Sequence, residues 1–447
     1  MLLNRPTFRW IHELMDRFNS SIICIRLGPS TNVIAVSSPD LACEFFKKQD
    51  EIFCSRPYHL STFLISDGYL ATALSPSGEQ WRKMKRVLSR EMLSSPTHKW
   101  LQPKRDEEAD KLLRYIYNQI KKQDSVLDGG LINVRTVTQH FCGNTMRNMI
   151  FGTRFFGQGM DDGGPGDEEI EHVAALFAIM KHHFAFCITD YFSWLRRKTD
   201  FDGHEKKLRT AIEVVRKYQD PLVNERIQMW KMELERRNEL MIATIDNPSN
   251  AVEWTIGEMI TKPMILKRAI EEMDRVVGRD KLVEEQDLPQ LNYLNACIKE
   301  AFRLHLFSPF LPPHVSTMDT TVAGYFIPKG SHVIVSRYRL GRNPNVWADP
   351  LRFDPDRHLL GEGKQMVMSD IQLRMLSFST GKRGCPGMML GTAMTTMLLA
   401  RMVQGFTWEI PCNEGYVDLA ESRNELCLAR PLMVVAKQRL PSYMYPK

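Results

Sequence analysis

A chain of 447 residues is long enough for one large domain whose core encloses a sizeable ligand. With 43% hydrophobic and 25% charged residues it has the make-up of a globular protein, and no apolar run approaches the roughly 20 residues that a membrane span needs. The formal net charge of +6 is mild, and the basic stretches Arg196-Arg197-Lys198, Lys206-Lys207 and Lys382-Arg383 lie far apart without interleaved aromatics, which argues against nucleic-acid binding.

The chain opens with Met1-Leu2-Leu3 and then Asn4-Arg5-Pro6, which carries neither an apolar leader nor an anchor. Apolar, β-branched runs at 22–27 and 32–37, separated by Gly-Pro-Ser-Thr, predict a hairpin, with a helix starting near Pro39-Asp40. Helical periodicity then dominates from about residue 79 to 300, over Trp81–Leu93, Asp106–Lys122, Leu131–Ile150, Lys207–Ile242 and Pro263–Val277. The Gly/Asp-rich stretch Gly157–Asp167 reads as a loop. Strand signals return at Thr320–Ile327 and Ser331–Ser336, on either side of Pro328-Lys329-Gly330, and predict a second hairpin. The expectation is a mainly α (α+β) chain, a single domain over 1–447, with small sheets toward both ends. Nine scattered cysteines, an odd number with no Cys-x-x-Cys pair, predict neither a disulfide framework nor a zinc knuckle.

Two segments carry candidate chemistry. In the helical stretch that contains Ala243–Asn250, Asp246-Asn247-Pro248 puts a proline where its ring presses on the turn above, since Pro248 has no N–H for the carbonyl of Thr244. A kink with a free acceptor and a polar notch is expected there. Near the C-terminus, Phe378-x-x-Gly381-x-Arg383-Gly384-Cys385-Pro386-Gly387 precedes an apolar helical run from Met388 to Val403. A glycine-rich turn aims backbone N–H groups at a sulfur, and a helix starting just beyond presents its positive end, which favours thiolate over thiol. The bland alternative is a buried free cysteine in a loop before a helix. Rare residue types coincide at too many fixed positions for that alternative to be preferred.

This segment resembles the heme-binding signature of the cytochrome P450 superfamily at every fixed position. The resemblance implies the cytochrome P450 fold, heme b held through a Cys385 thiolate ligand to iron, and electrons from NADPH delivered by a separate reductase. It also implies roles for other residues. Phe378, Gly381, Arg383 and Gly387 belong to the heme loop, Arg383 meeting a propionate. Trp81 and Lys85 resemble the family's Trp-x-x-x-Arg/Lys helix, and His314 stands where a propionate partner is expected. Glu300-x-x-Arg303 with Arg357 of Pro350-x-x-Phe353-x-Pro355-x-Arg357 resembles the buried triad that supports the heme loop. Asp246, Asn247 and Pro248 occupy the place of the acid–alcohol pair that relays protons to dioxygen, here without the alcohol. Together with Pro312-Pro313-His314-Val315, this looks like the plant amino acid N-monooxygenases, which make aldoximes in secondary metabolism, such as glucosinolate or cyanogenic glucoside biosynthesis.

The same resemblance implies an NADPH-cytochrome reductase as partner, an amino acid as small-molecule substrate, and the cytosolic face of the endoplasmic reticulum membrane as location. Lys382 and its basic neighbours are expected to face the reductase. Two departures stand out. The chain starts without the family's anchor, and the interval from Trp81 to Asp246 is short. Residues 225–239 are charged at more than half their positions, where the family would place an apolar helix. A segment is therefore expected to be missing around 225–240, and a continuous buried helix through 225–260 would count against that. Three readings follow: an amino acid N-monooxygenase, a heme-thiolate isomerase or dehydratase, and a non-functional relative that binds heme at most.

Overall fold

The computed structural model describes residues 6–123, 129–183, 185, 187–192, 200, 203–230, 238–359, 366–412, 415–423 and 426–446. Its longer helices are α1 (Thr7–Arg17), α2 (Glu79–Val87), α3 (Gln102–Gln123), α4 (Val134–Phe151), α5 (Asp167–His183), α6 (His204–Trp230), α7 (Asn238–Thr261), α8 (Pro263–Val276), α9 (Asn292–Leu304) and α10 (Met388–Gly405). The strands are β1 (Ile22–Leu27), β2 (Thr31–Val36), β3 (Gly130–Asn133), β4 (His314–Val315), β5 (Thr320–Val322), β6 (Tyr325–Ile327), β7 (His332–Val335), β8 (Phe406–Glu409) and β9 (Met433–Gln438). The mainly α architecture with small sheets is as expected.

The first hairpin forms as predicted, with Ile22 opposite Val36 and Leu27 opposite Thr31. The second is different. Its turn falls at Ala323-Gly324, so β5 pairs with β6 inside the run 320–327. β7 instead pairs in parallel with β2 and antiparallel with β4, in a sheet of order β1-β2-β7-β4. Val333 and Val335 bury their side chains there, which outweighs the local preference for a neighbouring partner. Leu131–Asn133, read from sequence as the start of a helix, is strand β3 in a sheet of order β3-β9-β8; its chain direction turns at Asn133, whose side chain accepts the Thr136 N–H and caps α4. The predicted helix Lys207–Ile242 is helical where it is described, in α6 up to Trp230 and in α7 from Asn238, and residues 231–237 lie outside the described residues.

α7 and α10 run through the main core, α7 packing on α4, α10 and α9. α10 is apolar on nearly all sides, and every residue from Met394 to Gly405 is buried. The expectation that no apolar stretch is long enough to span a membrane needs correction, because Asp167–Tyr191 passes by length and composition. Within the fold, however, α5 packs on α6 and α4 and buries Glu169 and His172, so packing accounts for its apolar face.

α7 continues as helix through Pro248. One and two positions beyond Thr244, the Ser249 hydroxyl donates to the Ile245 carbonyl at 2.7 Å and lies 3.2 Å from the Asp246 carbonyl, as a side chain bonded back within its own helix.

Candidate active site

The Cys385 loop is built by backbone geometry. Gly381 sits at φ +66°, and a Cβ there would fall 2.6 Å from the Phe46 carbonyl oxygen, so both conformation and close approach require glycine. Ser379 takes the left-handed region as well. Gly384 and Gly387 have negative φ, so the freedom expected of three glycines is used at one of them. The Cys385 N–H donates to the Phe378 carbonyl at 2.9 Å, and the Gly387 N–H donates to the sulfur. α10 begins at Met388, as expected, and Phe378 packs edge-on against Phe302 at 5.6 Å.

Cys385 is exposed by surface area, yet burial is the largest influence on its thiol and raises its pKa above the ordinary value. The two observations agree if the sulfur faces an internal space. The Gly387 N–H and Arg337 act in the opposite direction, toward thiolate, and in the protein alone burial outweighs them. No cluster of three or more metal-binding side chains exists among the described residues, and all nine cysteines are free.

A cationic cradle borders this loop. Trp81 is buried on α2, with the Arg383 guanidinium 4.2 Å above its ring centre and the Lys85 ammonium 5.3 Å away. Arg383 donates to the carbonyls of Cys54, Thr72 and Ser75, and Lys85 to that of Lys382. Burial and then Arg383 lower the Lys85 pKa. His314, on β4, donates from Nδ1 to the Phe53 carbonyl at 2.7 Å, which fixes its tautomer; its Nε2 is buried with no partner among the described residues. Burial holds its pKa well below the usual range.

Sequence reasoning missed Arg56. It is buried, donates to the Ala73, Pro312 and Pro313 carbonyls, and is held at about 9 by burial and by Arg383. Its setting, Ser55-Arg56-Pro57, gives no local signal. Buried cations of this density fit a ligand carrying carboxylates, such as heme propionates, whose negative charge would favour the imidazolium form in which His314 Nε2 becomes a donor. His314→Ala should therefore lower heme retention, read as a several-fold faster transfer of heme to an acceptor protein; an unchanged rate would remove His314 from the cradle.

Glu300, Arg303 and Arg357 are brought together. Arg303 grips Glu300 through two nitrogens, each at 2.7 Å, and Arg357 reaches the same carboxylate at 3.0 Å. Glu300 also accepts the Asp354 N–H and lies 2.7 Å from His358 Nε2, a fourth partner the sequence did not announce. Burial opposes ionisation of Glu300, but Arg303 and His358 prevail and hold it at about 2. Arg303 further donates to the carbonyls of Gly341, Pro350 and Arg352, so the triad also fixes the chain around 350–357.

On α7, Asp246 is fully buried and near enough to Cys142 of α4 to raise that thiol, whereas Asn247 is exposed by area although it sits mid-helix in the core. Neighbours on a helix point about 100° apart, and here the acid faces α4 while the amide faces open space. Lys382 is not a bare cation: its Nζ pairs with Glu51 at 2.6 Å on the surface.

A cavity of about 580 Å³, lined among others by Ile11, Arg56, Phe177, Ser308, Pro312 and His332, adjoins the cradle through Arg56 and Pro313. A second, of about 450 Å³, contains Arg135, Asn250 and Glu253, and Phe177 and Cys427 border both.

The family model for Cytochrome P450 matches residues 3–240 and 237–432. The chain is 47% identical to phenylalanine N-monooxygenase CYP79D16 of Prunus mume, over all of this chain and 88% of that protein. It is 48% identical to valine N-monooxygenase 1 of Manihot esculenta, over all of this chain and 86% of that protein. A solved zebra fish cytochrome P450 with progesterone superposes with a TM-score of 0.76 over 98% of this chain and 100% of that one, at 20% identity, which speaks for the fold.

Proposed function

The chain belongs to the cytochrome P450 family, so its cofactor is heme and its electrons come from a reductase, and from that premise we propose that it N-hydroxylates an amino acid and forms the aldoxime. The observation that carries the reading is the Cys385 loop, whose sulfur takes the Gly387 N–H, beside a cradle of buried cations. Curated relatives with phenylalanine and valine in their names support an amino acid as substrate class and leave its side chain open.

Cys385 is the iron ligand in this reading, and heme b, when bound, supplies the activation of dioxygen. Arg56, Lys85, Arg383 and, once protonated, His314 would hold the propionates, with Trp81 as the plate on which Arg383 rests. Phe378, Gly381 and Gly387 shape the ligand loop, and Glu300, Arg303 and Arg357 keep it in place. Each N-hydroxylation takes up one dioxygen, two electrons and two protons and releases one water; after the second, loss of carbon dioxide and water leaves the C=N–OH group. Electrons come from NADPH through a membrane-bound cytochrome reductase, which places the protein at the cytosolic face of the endoplasmic reticulum.

Protons reach the site past Asn247 at the open face of α7 and Asp246 behind it, where Pro248 keeps the turn polar. Asn247→Ala should lower the aldoxime formed per NADPH consumed several-fold while leaving substrate affinity near wild type; an unaltered ratio would exclude the amide from proton delivery.

The reading is tested by supplying the protein with reductase, NADPH and single amino acids and assaying aldoxime. A protein with a thiolate-type reduced–carbon monoxide spectrum that gives no N-hydroxy product from any amino acid would overturn it.

We further propose that the chain lacks a segment around 225–240. The family match falls into two pieces meeting at 237–240, and the Prunus relative aligns over 475 positions against the 447 residues here, a difference of 28. The heart of that region lies outside the described residues. This favours, as second reading, a heme-binding relative with an impaired substrate lid, for which the spectrum would be normal and turnover absent.

A further inference from the structure

An arginine and a glutamate buried close together cost least when they pair with each other, as Arg105 does with Glu285 and Arg303 with Glu300. The second cavity departs from this. Arg147 of α4 and Glu169 of α5 both line it, at 0% and 1% exposure, and each takes its hydrogen bonds elsewhere, so no ion pair joins them. Arg147 donates from Nε to the Arg154 carbonyl at 3.0 Å and from Nη2 to the Asn144 side chain, which leaves Nη1 buried with no partner among the described residues. Gly143, one turn back, gives that nitrogen its room, since a Cβ there would fall 3.1 Å from it. The Glu169 oxygens accept the Phe156 N–H at 2.6 Å and the Gly166 N–H at 3.0 Å, one bond each, and each can accept another.

Phe156 fixes both groups at one end of the cavity. The guanidinium lies 5.3 Å from the centre of its ring, and Glu169 holds its backbone N–H. On α4 the lining runs from Arg147 back to Arg135, twelve residues or about 18 Å of helix. Arg135 pairs with Glu253 at 2.9 Å and donates to the Leu428 carbonyl, beside Cys427, which both cavities share. The unpaired charges therefore stand at the end away from that junction. Along the α5 wall Ile170, Ala174 and Phe177, spaced i, i+4 and i+7, lay an apolar stripe.

We propose that this cavity is a second binding site for an α-amino acid with an apolar side chain, its carboxylate on Arg147, its ammonium on Glu169 and its side chain along the α5 stripe. The clamp is read from its own residues; equating its ligand with the substrate rests on the N-hydroxylation reading above. A zwitterion brings no net charge into the interior and completes both buried groups with charge-assisted bonds, whereas a plain acid or a plain amine completes one and leaves the other as it was. An ammonium held on a carboxylate keeps its nitrogen pair protonated, so the molecule in the clamp is stored and not oxidised.

Holoprotein is tested with L-phenylalanine and with L-valine by equilibrium dialysis, which counts every bound molecule, beside a titration of the heme absorption band, which sees only binding near iron. The wild type should bind two molecules per chain of at least one of them, one of the two changing the heme band. On the wild type, 3-phenylpropanoate, which lacks the ammonium, and 2-phenylethylamine, which lacks the carboxylate, should occupy the second site at least about tenfold more weakly than phenylalanine. Arg147→Gln and Glu169→Gln should bring the count to one and leave the heme titration at its wild-type midpoint. Ala174→Phe, which fills the cavity from an open position on α5 without touching either charge, should do the same and decides if the charge variants do not fold. A wild-type count of zero, a count of one that tracks the heme band, or a count of two that survives Ala174→Phe overturns the proposal. A single bound molecule that leaves the heme band unmoved and is lost in Ala174→Phe supports the clamp and counts instead against the N-hydroxylation reading.

Discussion

Cys385→Ala is expected to yield a folded protein that has lost the thiolate-type reduced–carbon monoxide band completely and with it all reductase-driven turnover. The loop does not depend on the side chain for its shape. Its turn is set by the Gly381 conformation and by the backbone bond from Cys385 to Phe378, both of which survive the substitution. The thiol is exposed by area, so removing it opens little packed volume. Thermal unfolding of the heme-free protein should therefore shift little, while the spectrum changes qualitatively. A variant that kept the thiolate-type band would sink the assignment of the ligand and every role built on it.

Glu300→Ala should cost about 3–5 kcal/mol of stability, the range for breaking a buried ion pair from one side. Arg303 is fully buried and would lose both carboxylate bonds, and Arg357 and His358 would lose their common acceptor. Denaturant unfolding checks this, and a loss under about 1 kcal/mol would show that the cluster relaxes around water. The same carboxylate gives a pH signature. Its folded pKa is depressed from 4.5 to about 2, so its contribution to stability is complete above the ordinary value and is lost as pH falls from about 4.5 toward about 2. Glu300→Gln should flatten the acid limb of the stability profile in that window and leave neutral pH lower throughout.

The site was legible in the sequence where its residues are close together or fixed by family spacing. The Cys385 loop, Trp81 with Lys85, and Glu300 with Arg303 lie within single segments, and the structure brings them together. Arg56, Arg337 and His358 were not legible, because each acts through partners 17 to 257 residues away, and nothing in the local composition marks an arginine as facing inward. The fold shows the same division. The helices over 106–122, 263–277 and 388–403 have apolar faces that declare themselves within a few turns. The run 331–336 has the composition of a strand but carries no sign of which strand it joins, and the nearest candidate was not its partner. At Leu131–Asn133 the alternation is too short to separate the end of a strand from the start of a helix, and the cap at Asn133 settles it.

The parallel pairing of Val33–Val36 with His332–Val335 also bears on how the molecule is made. During synthesis the N-terminal hairpin emerges early, but its inner edge waits for about three hundred more residues before a partner leaves the ribosome. For that period β2 offers an open apolar edge that invites pairing with other chains. Closing so long a loop is entropically unfavourable and comes late, after the helices of the middle third have gathered. Assembly of the sheet therefore cannot finish until about three quarters of the protein has been translated, and premature termination short of Val335 leaves the early hairpin as a seed for aggregation.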